Sequence, residues 1–133
     1  MLPPSWVWPV VAAPLIGSFL GVVVARARTP RAILFGRSAC PACGRRLGPG
    51  DLVPLVSWLA LRGRCRQCGA GISAFYPAME LAALGVALWS AALASGWWVW
   101  ISCLLGWTLL SLAVIDWRYF LLPDFLTLPL LAA

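Results

Sequence analysis

The sequence predicts an all-α polytopic membrane protein, with three transmembrane helices, the start of a fourth, and a cytoplasmic four-cysteine loop domain between the first helix and the second. Three observations predict it. Of 133 residues, 62% are hydrophobic and only 11% charged, and the mean hydropathy is +0.91. A soluble domain is about half apolar and about a quarter charged. The charge-free stretches have membrane length. The basic residues, all of them arginine, lie between Arg26 and Arg66 with the single exception of Arg118.

The first element is the uncharged run from Trp6 to Ala25. Twenty residues at 1.5 Å each reach about 30 Å, one hydrocarbon thickness. A signal peptide would open with a basic region, and no basic residue precedes Arg26. Arginines after the run place its N-terminus outside and Arg26 inside. Gly17, Ser18 and Gly21 bring small residues together, which lets a second helix approach closely. Residues 26–75 read as a cytoplasmic domain of loops and short turns. From Leu81 to Ile115 no residue is charged. One helix of that length would reach about 52 Å, so the run must fold back. The stretch "ASGWWVW" (94–100) is the predicted corner: Ser-Gly breaks the helix and the tryptophans suit the interfacial belt. This gives a second span over about 77–95 and a third over about 98–116, with Asp116 and Arg118 emerging on the cytoplasmic side. Phe125–Ala133 begins a fourth apolar segment too short to cross. The predicted division is therefore 1–25 for the first helix, 26–75 for the four-cysteine loop domain, and 76–133 for helices two and three and the truncated start of helix four.

Composition also excludes chemistries. The chain has no His, so no Ser-His-Asp or Cys-His site can be built from it. The net charge of +6 sits in one loop of an apolar chain, which argues for a membrane-facing loop and not for nucleic acid.

The loop carries "CPACG" (40–44) and "CRQCG" (65–69). Two thiolates two residues apart cover one face of an ion, and a second pair completes a tetrahedron. Cys40, Cys43, Cys65 and Cys68 are thus candidate ligands of a structural Zn2+ in a zinc-ribbon-like loop. Two disulfides or idle thiols are the alternatives; the cytoplasmic side disfavours the first, and the flanking Gly44 and Gly69 disfavour the second. A metal would also staple a loop too polar to form its own core. The apolar stretch between the pairs (51–64) is expected to dock on the membrane or the helices. Cys103, alone in the third span, reads as lipid- or core-facing filler.

Only four acids exist: Asp51, Glu80, Asp116 and Asp124. Glu80 lies about one turn inside the second span. It is either a polar group of the site or a snorkelling or helix-start charge. Asp116, at the end of the third span, is the candidate for function, against pairing with Arg118 or solvation. Asp124, after Pro123, reads as a helix-start carboxylate. Carboxylate chemistry without His points to an aspartic protease or a carboxylate metal or proton site. In the former, two acids share a proton, one acting as base on water while the other polarises the carbonyl. The eight-residue separation of Asp116 and Asp124 does not place them on one helical face.

The residues resemble the prepilin leader peptidases, also called type IV prepilin peptidase/N-methyltransferases. The resemblance runs in order through "GSFLGVVVAR", "SACPACGRRLGPGDLVPLVSWLALRGRCRQCGAGIS", "FYPAMELAALG" and "AVIDWRYFLLPDFLTLPLL". The family usually has Asn after "GSFL"; here Gly21 stands there. The resemblance implies a multi-pass inner-membrane aspartic endopeptidase that cleaves prepilin or pseudopilin leader peptides on the cytoplasmic face, for type IV pili or type II secretion. It implies subsequent N-methylation with S-adenosylmethionine. Asp116 matches the first catalytic Asp, and the four loop cysteines match the family's four. Gly63, Glu80 and Asp124 are expected to support the site or its substrate. The family's second Asp lies in a downstream G-x-G-D block, absent from this sequence. The expectation is therefore a fragment, inactive alone, completed by its missing C-terminal half. The alternative is a short zinc-stapled membrane subunit that binds pilin leaders or a separate catalytic partner.

Overall fold

The computed structural model describes residues 6–28, 40, 42–44 and 55–120, together with 124, 127, 128 and 131. The arginines at 31, 37, 45 and 46, Asp51 and most of the fourth segment lie outside the described residues. Three long helices dominate: α1 (Val7–Ala25), α3 (Phe75–Leu93) and α4 (Trp98–Tyr119). A short helix, α2 (Val56–Ala60), precedes the second cysteine pair. All three long helices are long and apolar enough to cross a membrane. Among the described residues there is no strand, only one antiparallel bridge between Arg64 and Gly71.

The long helices bury a stripe of small residues together with Val24, Met79, Val99, Trp107 and Ile115, and leave many large apolar side chains outward. On α1, Ala13, Gly17, Gly21 and Val24 are buried, whereas Trp8, Val11, Leu15 and Phe19 are exposed. Only about a third of each span is buried inside the protein. This is the pattern expected where lipid solvates the apolar exterior and close backbone approach, not hydrophobic exclusion, holds helices together. Helix α1 packs chiefly against α3. A Cβ placed on Gly17 would stand 2.6 Å from Glu80 Cα and 2.9 Å from Met79 O. On α4, Val99, Cys103, Trp107, Ser111 and Ile115 recur every four residues on the buried face. Polar groups there are satisfied internally, as a hydrocarbon setting requires. The Trp107 indole donates to Ala83 O (2.9 Å) and Ser111 Oγ donates to Trp107 O (2.9 Å). Cys103 is core-facing: it is fully buried and hydrogen-bonds Ser90.

The fold-back lies where the sequence placed it. Helix α3 ends when Ala94 adopts extended backbone, and Gly96 turns with φ +63°. The flanking Trp97 and Trp98 are exposed. The spans differ from expectation at their other ends. Helix α3 starts at Phe75, because Pro77 in a first turn forfeits no intrahelical bond. Helix α4 runs past the predicted end at about 116 to Tyr119, so Asp116 lies within its last turn. The turn is closed by Phe120 in left-handed geometry, its N–H donating to Asp116 O (2.8 Å).

The last residues of α1, the first of α3 and the last of α4 share one end of the bundle. Tyr119 Oη donates to Ala25 O (3.4 Å), Arg28 lies over the Tyr119 ring, and Arg118 stacks 3.8 Å above the Phe75 ring. The described residues of the fourth segment, Asp124, Thr127, Leu128 and Leu131, are helical.

Candidate functional site

The two cysteine pairs form near-identical turns. In each, the residue after the second cysteine is a glycine with positive φ, +69° at Gly44 and +70° at Gly69. Each glycine N–H closes the turn on the carbonyl of the first cysteine, at 2.9 Å from Cys40 O and 2.9 Å from Cys65 O. Glycine is required there because a Cβ disfavours the left-handed region. The turns bring four thiols together although 21 residues separate the two pairs. Cys40 and Cys68 Sγ stand 3.8 Å apart and Cys43 and Cys65 Sγ 4.0 Å, and all four sulfurs lie within 4.8 Å of one another. Four sulfurs at 2.3 Å around a tetrahedral ion would be about 3.8 Å apart. The four thiols therefore have the geometry to hold a metal ion, and none is in a disulfide.

Backbone donors prepare two of them for ionisation. The N–H groups of Cys43 and Ala42 pull the Cys40 thiol below its ordinary value. Those of Cys68 and Gln67 bring Cys65 down to about 6. At Cys68 the Ala70 N–H acts in the same direction. Desolvation and the neighbouring thiols outweigh it and hold Cys68 up at about 11. Without a cation, adjacent thiolates repel, which opposes ionisation of Cys68. A divalent ion removes that conflict.

The second turn is braced from one side. Cys65 N–H donates to Ala70 O (2.8 Å) and Ile72 N–H to Gly63 O (2.6 Å), around the Arg64–Gly71 bridge. Gly63 has φ +68°, and a Cβ there would meet the Trp58 indole at 2.9 Å. Trp58 in turn donates to Ile72 O (3.3 Å). Just before it, the Leu55 N–H donates to the Glu80 carboxylate. Glu80 does not snorkel; it is 4% exposed and also hydrogen-bonds the Ser18 side chain.

Asp116 and Asp124 are both exposed. Among the described residues Asp116 forms no ion pair, because Arg118 is turned onto Phe75. The fold thus gathers the four cysteines and Gly63 in one module and docks that module on Glu80. It leaves Asp116 on the α4 turn that shares an end with the start of α3. Sequence reasoning missed Leu55, Trp58 and Ser18 as partners. No local motif marks them, since their contacts cross 14 to 62 residues of chain. The apolar run around Trp58 was the one visible signal.

Comparison with known proteins bears on the same elements. Residues 11–94 match the family of the Bacterial Peptidase A24 N-terminal domain. The chain is 41% identical to the prepilin leader peptidase/N-methyltransferase of Aeromonas hydrophila over 88% of its length, covering 49% of that protein. It is 41% identical to the Myxococcus xanthus protein of the same name, with 86% of this chain and 34% of that one covered. To the Pseudomonas aeruginosa protein it is 38% identical, with 88% and 49% covered. The chain spans about half the length of the Aeromonas and Pseudomonas relatives and about a third of the Myxococcus one. No solved structure matches. The match runs from within α1, across both cysteine turns, to the end of α3, and on that ground the chain belongs to the bacterial peptidase A24 family, whose N-terminal domain it contains.

Proposed function

We propose that this chain supplies the N-terminal part of an inner-membrane prepilin leader peptidase/N-methyltransferase acting on type IV prepilin or pseudopilin leaders. The observation that carries it is the relatives' shared name at about 40% identity over most of this chain. The positive-inside rule orients the bundle with its arginine-bearing end, the four-cysteine module and Asp116 in the cytoplasm and the Trp97–Trp98 corner outside. A leader attached to a membrane-embedded pilin is then cut at the membrane surface where Asp116 lies.

In this reading Asp116 is one carboxylate of an aspartic dyad. Cleavage needs a second: one takes a proton from water while the other, protonated, polarises the scissile carbonyl. This sequence holds no G-x-G-D block, so the activity belongs to a protein in which Asp116 meets that partner. Exposure on a helix-end turn leaves Asp116 free to do so. Asp124, eight residues on, is exposed and helical and supports the turn at that end.

The four-thiol set fits Zn2+ in number, donor type and spacing, and the ion would be structural: all four positions are filled by thiolates and none remains for water. Residues 26–75 form the module it staples. S-adenosylmethionine is the donor expected from the relatives' second activity. Gly63 would support that activity by shaping the turn that receives Trp58, which already occupies the space beside it.

The test is leader cleavage by the chain joined to its relatives' downstream half. Asp116→Asn is expected to lower cleavage about 10²–10⁴-fold while leaving expression and zinc content unchanged. Cleavage at the unsubstituted rate would overturn the assignment.

A further inference from the structure

Of the carboxylates among the described residues, Glu80 alone is buried. The backbone around it is tight on one side: its Cα is what a Cβ on Gly17 would strike first. On the other side it accepts the N–H of Leu55, the residue that opens α2. Leu55 has φ +52° and ψ −50°, a conformation an L-residue adopts only when its surroundings impose it. From Leu55 the connections run without a break to the thiols. Helix α2 presents Trp58; Trp58 O accepts from Gly63 N–H (2.8 Å) and its indole donates to Ile72 O. Gly63 and Ile72 then clamp the hairpin that carries Cys65 and Cys68. A buried carboxylate one turn inside a membrane helix is costly, and here it is spent on a backbone N–H of a distant segment and on Ser18.

We propose that Glu80 is the positioning residue of the four-cysteine module. By fixing Leu55, it registers the second thiol pair on the α1–α3 crossing, so that retention of the metal and the docking of 55–63 depend on each other. Such coupling is reciprocal in free energy: bound metal favours the docked segment, and the docked segment strengthens metal binding. This inference rests on the metal reading of the four thiols and not on the peptidase reading.

The test uses the whole chain in lipid nanodiscs, loaded with Zn2+, and two gentle variants. Glu80→Gln keeps an acceptor oxygen at the same reach. Glu80→Asp keeps the charge but withdraws the oxygen by one methylene. Amide exchange over 55–63 is read with α4 as internal reference, and zinc transfer to a coloured chelator is read in parallel. Glu80→Asp is expected to raise exchange over 55–63 about tenfold and to speed zinc transfer several-fold, with α4 unchanged. Glu80→Gln is expected to stay within about twofold of the parent on both readouts. Parent-like values in Glu80→Asp overturn the proposal, as does the reverse order, with Glu80→Gln loosened and Glu80→Asp not. If the parent binds no zinc, the metal reading fails and with it the coupling, while the exchange arm still judges the docking role.

Discussion

Glycine does different work at Gly17 and Gly21, although the two sit one turn apart on the same face of α1. A side chain at Gly17 meets backbone, Glu80 Cα and Met79 O, which cannot yield without moving a helix. A side chain at Gly21 meets the edge of the Tyr76 ring at 3.1 Å, which can rotate by a few tenths of an ångström. Gly17→Val should therefore destabilise the bundle by about 1–3 kcal/mol, and Gly21→Ala by less than about 1 kcal/mol. Thermal unfolding in micelles measures both, and equal losses would contradict this account of the α1–α3 crossing.

At the scale of the element, the two cysteine turns and α2 behave as one unit. Gly63 holds φ +68° beneath Trp58, so Gly63→Ala combines backbone strain with a clash. It should cost the module about 1–3 kcal/mol, seen as faster zinc loss while the helical content of α1, α3 and α4 stays constant by circular dichroism. Acidity acts on the same unit. Cys40 and Cys65 are depressed from an ordinary value of 9.0, Cys65 to about 6. A depressed acid stabilises the fold above its unfolded value and loses that contribution as pH falls through its folded value. Cys68, raised to about 11, acts oppositely in the metal-free chain: its contribution is present below its ordinary value of 9.0 and is lost as pH rises through about 11. Metal needs thiolates, so zinc should be held at neutral pH and released on acidification, as protons compete for the four sulfurs. Zinc content after dialysis from about pH 8 down to about pH 5 reads this directly, and equal retention at the two ends would refute it.

For the whole molecule, the charged end and the tryptophan corner define the two sides of a three-helix bundle. Once zinc is removed, a membrane-impermeant maleimide should label Cys43 and Cys68 in inside-out vesicles and not in spheroplasts. Labelling in spheroplasts would invert the proposed orientation. Removing the metal should loosen 40–71 and leave the bundle assembled, since the contacts of Trp107, Ser111 and Tyr119 involve no residue of the module. Hydrogen exchange with and without chelator separates the two parts.

The amino-acid sequence alone specifies the three spans, the corner at Ser95–Gly96, the four thiols and the short roster of carboxylates. Each rests on local information: run length against bilayer thickness, glycine in a turn, and ligand spacing. It also marked Gly17 and Gly21 as a close-approach surface, because small residues one turn apart have few other uses in a membrane helix. The fold set which residues meet. It turned Glu80 inward to receive the Leu55 N–H, drew Arg118 away from Asp116 onto Phe75, and laid Trp58 over Gly63. It carried α4 on to Tyr119, so that Asp116 lies within the last turn and not at the helix end. Those outcomes depend on contacts between residues far apart in the chain and on which face each helix buries, quantities that hydropathy and spacing do not encode.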